Sequence, residues 1–509
     1  MNQQNRDGHL KLFKLFGHFS IIFLLGSSSL IAGSFENFKR SQIDAFTKYT
    51  DAEDAKFKIF LEKQWKEFNL YKGKPLYEKA KPKKTEITQP MEIKSVGPKV
   101  MVAVKRVKQK AKEESIQKSR IVVKNNTLFV EPKTIVPIKI HKDIEFNFYG
   151  TMVGFNIDNK MKSAKFYPTN QKGIGNFFDT VASSEYKFLL IDLKKTIYDM
   201  NLNDWAVYLL VNKLSEQLFS KRDNKNLFSW FIFNKLGYAV KVGLANRHIV
   251  LMHYSKKIIY STPNYIFNKK RYYVVANYAK GSVGNLYSYE QNYPNATKPL
   301  DLALKTLPNF VNAPRTKVLK FNQLGKEYSI EYDYNQNLLD FMATYPQADY
   351  ATYFNTPLEK QTYNTLARSL KKYLDGKQAS SAINFVLNFV QNAFQYEVDQ
   401  AQFGREKVMF AQETLYFNNS DCEDRAILFA YLVKKIFKIA VVGVKYSDHM
   451  ATALYIPLKG DSVRVKSRNF IVADPTYINA NIGQSMPKYR SQRPDSFVFV
   501  NPFEKISKE

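Results

Sequence analysis

Two stretches of this chain repeat one order of apolar runs, and that recurrence restricts the fold more than any other feature. In the later stretch Leu428-Phe429-Ala430-Tyr431 opens a helical pattern that leads to Ala440-Val441-Val442-Gly443-Val444, then His449, then Ile471-Val472-Ala473-Asp474. In the earlier one Leu227-Phe228-Ser229-Trp230 leads to Ala239-Val240-Lys241-Val242-Gly243-Leu244, then His248, then Val274-Val275-Ala276-Asn277. A helix-period pattern followed by short β-type runs describes an α+β unit, and its recurrence predicts two copies of that unit. The copies differ where chemistry would need them alike. Cys422 stands seven residues before Phe429, whereas Lys221 stands seven residues before Phe228.

At 509 residues the chain exceeds one ordinary core, and 45% hydrophobic with 15% aromatic residues gives ample material for several. Arg6, Lys11 and Lys14 precede an apolar run from Phe19 to Ala32, a signal-peptide layout that assigns residues 1–34 to export. The run is short for a membrane span, although Ile21 to Leu25 and their neighbours leave an uncleaved anchor open. No Cys follows it, which excludes a lipid-anchored lipoprotein. Phe57, Phe60, Leu61, Trp65 and Phe68 fall at helical spacing, so residues 35–71 read as an amphipathic helical segment, packed on a neighbour or binding a cell-envelope partner. Residues 72–143 read as a basic Lys/Pro-rich linker, with a strand pair expected around Ile121 to Val130. Beyond it come a degenerate α+β domain (144–300), a mostly helical connector (301–380) and a last α+β domain (381–509).

The formal charge of +30 permits contact with an anionic surface, but the chain lacks a zinc-finger or glycine-aromatic signature and points to no specific nucleic acid. One Cys rules out an intramolecular disulfide and, with six His, a Cys-based zinc site. The sequence suggests no metal and no cofactor.

A lone thiol in an exported chain is a liability unless it is buried or used, and the surroundings of Cys422 favour use. Ser420 and Glu423 have capping-box spacing before the apolar pattern of Ile427, Leu428, Tyr431, Leu432 and Ile436, which puts Cys422 in the first turn of a helix. Unpaired amides and the positive end of the helix dipole should lower the thiol pKa there. Asp421, Glu423 and Asp424 oppose that shift, so a basic partner is needed; those acids otherwise cap the helix and pair with Arg425. His449, at a strand start, can accept the thiol proton, and Asp474, at the end of a later strand, can orient the imidazole.

The runs Asp421-Cys422-Glu423-Asp424-Arg425-Ala426, Asp448-His449-Met450-Ala451-Thr452-Ala453 and Asp474-Pro475-Thr476-Tyr477 resemble the catalytic core of bacterial transglutaminase-like cysteine proteases, a papain-related fold, over roughly the last 130 residues. The resemblance implies Cys422 as nucleophile, His449 as general base and acid, and Asp474 as the orienting group. It also implies an oxyanion hole from the Cys422 backbone N–H and an upstream side chain, for which Gln391 is the candidate. The expected function is an exported, periplasmic or envelope-associated thiol hydrolase acting on peptide or protein amides through a thioester. A transglutaminase-type acyl transferase and a non-catalytic envelope assembly module are the alternatives. His248 and Asn277 in the first copy read as structural remnants.

Overall fold

The computed structural model describes residues 83–93, 103, 142–275 and 284–500. All lie in one compact unit, Lys58–Glu509. Expectations for residues 1–34, 35–71, most of the 72–143 linker and Asn277 fall outside the described residues.

The chain is α+β. Its strands are β1 (Lys83–Thr85), β2 (Ile144–Phe148), β3 (Thr151–Phe155), β4 (Val240–Ala245), β5 (His248–Tyr254), β6 (Asn264–Phe267), β7 (Lys270–Tyr273), β8 (Leu286–Ser288), β9 (Pro314–Gln323), β10 (Lys326–Asn335), β11 (Gln395–Tyr396), β12 (Asn419–Ser420), β13 (Val441–Tyr446), β14 (His449–Leu454), β15 (Ser462–Val465), β16 (Arg468–Ala473) and β17 (Ser496–Phe499). The helices that matter for the site are α1 (Asp204–Leu218), α2 (Arg222–Lys235), α3 (Tyr350–Asn355), α4 (Lys360–Leu374), α5 (Ala379–Asn392) and α6 (Cys422–Leu432).

The two apolar blocks become two sheets with one topology. The first has the order β1-β8-β4-β5-β7-β6 and the second β15-β16-β14-β13-β17. Read from the other end, the second matches β8-β4-β5-β7-β6 strand for strand. Register agrees as well: Ala245 faces His248 across one hairpin and Tyr446 faces His449 across the other. Each hairpin follows a helix whose residues are mostly buried, α2 in the first copy and α6 in the second, where all eleven are. Burial on most sides fits the largely apolar runs of both helices.

From helix start to strand start the second copy has one more residue than the first, Cys422 to Val441 against Arg222 to Val240. A π-helical turn over Val433–Phe437 absorbs it. Both copies then leave the helix through a left-handed residue, Lys438 and Gly237.

Two expectations need correction. The 301–380 connector is not mostly helical: it begins with the long hairpin of β9 and β10, turned at Leu324-Gly325 with φ of 53° and 82°. Leu at a left-handed position is not a recognisable turn signal, and only Leu319, Phe321, Ile330, Tyr332 and Asn335 of the two strands are buried, which shortens the alternating pattern. Within the expected linker, residues 83–88 are part of the first sheet. β1 extends it beside β8, and Thr88 bridges to Asn264 on β6 at the opposite edge. The segment therefore ties together two edges that would otherwise be open to pairing.

Candidate active site

The fold brings Cys422, His449 and Asp474 into one buried cluster. Cys422 is the first residue of α6, His449 opens β14 and Asp474 follows β16 directly. His449 Nε2 lies 2.7 Å from Asp474 Oδ2. The other oxygen, Oδ1, accepts the backbone N–H groups of Thr476 at 2.9 Å and Tyr477 at 3.3 Å. Those two bonds fix which oxygen faces the imidazole. With Nε2–H donated to a carboxylate, the free lone pair of the neutral ring is on Nδ1, and that atom is buried without a hydrogen-bond partner. The backbone N–H of Met450, next to His449, donates to the Cys422 sulfur. This bond fastens the helix start to the strand start.

Tyr489 covers the imidazole, its ring stacked at 4.7 Å and 20°. It sits on the turn Pro487–Tyr489, which is held at the surface by an ion pair from Lys488 to Asp448 and by the Tyr489 hydroxyl donating to Asp448 at 3.1 Å. Neither Tyr489 nor its tether could be read from sequence, because no local pattern links a turn at 487 to a strand start at 449.

The thiol differs from expectation. Burial, Glu423 and Asp421 push its pKa well above the ordinary value, so it rests neutral rather than as a thiolate. The thiol donates to Glu423 Oε2 at 3.1 Å. The helix N-terminus loses this contest because the thiol is itself fully buried, where desolvation disfavours the thiolate more than the dipole favours it. Capping also shifts by one residue: Asp421 is the N-cap, and Asp424, not Glu423, accepts the Asp421 N–H, at 3.5 Å. Arg425 hydrogen-bonds none of these carboxyls. Its guanidinium donates to Ser420 Oγ and to the carbonyls of Gln391 and Phe394 at the end of α5, which the helix itself leaves unpaired.

Gln391, expected as an oxyanion donor, is occupied. Its Nε2 reaches the carbonyls of Asp474, Tyr477 and Ala480 at 2.9–3.0 Å, so it pins the loop that carries Asp474. Its role is positional.

Asp399, Asp421 and Glu423 each turn one oxygen to within 4.8 Å of the others. Such a set has the oxygen chemistry a hard cation takes. Protons neutralise the cluster: burial first, then neighbouring acids, raises Asp399 to about 9, and burial followed by Asp424 raises Glu423 to about 8. These groups hold protons in the fold that the unfolded chain releases above about pH 4. Stability is therefore expected to fall as pH rises from about 4 towards 8 or 9, by about 1.4 kcal/mol per pH unit for each extra proton bound. Urea midpoints at about pH 5.5 and pH 8 check this, and a midpoint that is equal or higher at pH 8 would refute it.

The first copy has no equivalent site among the described residues. Lys221 occupies the N-cap position of α2 without a side-chain capping bond, and His248 Nδ1 lies 3.2 Å from Asp223 on that helix, with an exposed side chain. Asn277, the sequence counterpart of Asp474, falls outside the described residues. His253, buried against Tyr208 and Phe233, is a core histidine held neutral by burial, which lowers its pKa to about 3. Compared with family models, curated proteins and solved structures, the chain matches none.

Proposed function

We propose that this chain is an exported thiol hydrolase of the transglutaminase-like, papain-related kind, cleaving peptide or protein amides through a Cys422 thioester. The observation that carries the reading is the His449–Asp474 bond, which leaves a buried Nδ1 lone pair beside the helix start that holds the thiol. Strand order around that helix, and the sequence runs at all three residues, support it.

In the proposed reaction the sulfur attacks the amide carbon while the S–H proton passes to Nδ1 of His449. The C–S bond forms, the C–N bond breaks, and the imidazolium returns its proton to the departing amine. Asp474 stays ionised and steadies the imidazolium. Water then attacks the thioester with His449 again as base, releasing acid and thiol. Because the resting thiol is neutral, His449 acts as a general base rather than as half of a standing ion pair. Cys422 and His449 are both 0% exposed, so substrate entry requires some of the structure that covers them to move.

The reading is tested with p-nitrophenyl acetate on the purified full chain. One acetyl group should appear on Cys422 by intact-mass analysis, with the rate reduced about 10²- to 10⁴-fold in His449→Ala. A thiol that reacts only in urea, or at the same rate without His449, would sink the proposal and favour the non-catalytic envelope module. Adding a primary amine separates hydrolysis from acyl transfer, since only a transferase partitions the acyl group to the amine.

A further inference from the structure

Attack on an acyl carbon turns its oxygen into an oxyanion, and the triad itself offers no side chain to receive it. A side-chain donor elsewhere in the site would have to receive it. The upstream glutamine does not supply one, because its amide nitrogen is bound to three carbonyls.

Tyr396 has an uncommitted donor at the right place in the fold. It lies on β11, paired in parallel with β12 so that Tyr396 faces Ser420, two residues before Cys422. Its hydroxyl is buried with no hydrogen-bond partner. A buried phenol without an acceptor is costly and calls for an explanation such as a ligand atom absent from the resting site. The ring is held in place: the Arg425 guanidinium lies 5.5 Å from its centroid, and the same guanidinium is bonded to Ser420 and Phe394. Rigid support of that kind is what a preorganised donor needs.

We propose that the Tyr396 hydroxyl is the side-chain donor of the oxyanion hole. The inference rests on the triad reading above. Burial first, and then the nearby Cys422 thiol, raise the phenol pKa, so the hydroxyl keeps its proton throughout the neutral range. Tyr350 is the rival, since its hydroxyl is also buried and unpartnered.

The experiment compares two reagents on the full chain. p-Nitrophenyl acetate forms a tetrahedral oxyanion on its way to the thioester, whereas iodoacetamide is displaced at a saturated carbon and forms none. In Tyr396→Phe, which keeps the ring under Arg425, acetylation of Cys422 is expected to slow about 10²- to 10³-fold while alkylation stays within about threefold of wild type. Tyr350→Phe should leave the ratio of the two rates unchanged. An unchanged acetylation rate in Tyr396→Phe overturns the inference and leaves the triad standing. Equal loss of both rates also overturns it, by marking a structural role, as does loss of acetylation alone in Tyr350→Phe. A wild-type thiol inert to both reagents overturns the triad reading and this inference together.

Discussion

Replacing Asp474 with asparagine is expected to slow acetylation of Cys422 by about 10²- to 10⁴-fold, although the two side chains are nearly the same size. The reason lies in which atoms the loop presents. Oδ1 of Asp474 accepts two backbone N–H groups, from Thr476 and Tyr477, and Oδ2 accepts from His449 Nε2. Asparagine has only one oxygen. With that oxygen kept on the two N–H groups, its amide nitrogen faces Nε2, which must then accept rather than donate. The imidazole proton moves to Nδ1, and the lone pair needed for the thiol proton is gone. Pre-steady-state acetylation, with a thermal melt to establish folding, reads the effect. A loss smaller than about threefold would mean that the His449–Asp474 bond does not set the tautomer.

The largest stability effect is expected at Arg425. Arg425→Ala should destabilise the chain by about 3–5 kcal/mol, because it removes a fully buried cation and the donor set that caps the end of α5. Gln391 O, Phe394 O and Ser420 Oγ would each lose a partner, and Tyr396 would lose the group stacked on it. The acids around Cys422 would also lose a buried positive charge beside them. Burial already lowers the Arg425 pKa to about 10, a sign that its surroundings tax the charge and hold it by hydrogen bonds instead. Arg425→Lys should recover little of the loss, since an ammonium cannot reach three acceptors laid out for a planar fork. Urea unfolding of the two variants measures this. A change below about 1 kcal/mol for Arg425→Ala would show that the fork is dispensable.

Much of the site is legible in the sequence. Cys422 at a helix start, His449 at a strand start and Asp474 at a strand end follow from local patterns, because apolar periodicity and its boundaries are written in neighbouring residues. The duplicated order of runs implies two sheets of one topology for the same reason. The expectations that fail involve residues far apart in the chain. The type and approximate position of Gln391 allow an oxyanion role, while its partners at Asp474, Tyr477 and Ala480 meet it only when the loop folds onto α5. Adjacency suggests that Asp421, Glu423 and Asp424 pair with Arg425, yet the guanidinium turns to another helix.

The sequence by itself determined the α+β class, the repeated order of elements and the three residue types available for acyl chemistry, since each depends on short-range pattern. Tertiary structure alone decided the ionisation of the thiol. A helix N-terminus favours a thiolate, but burial first, and then the neighbouring Glu423 and Asp421 carboxyls, favour the neutral form, and burial is a property of what packs around the segment. It also decided which polar atoms were left without partners. The lone pair of His449 Nδ1 and the hydroxyl of Tyr396 are free because the groups that could have met them are held elsewhere by the fold.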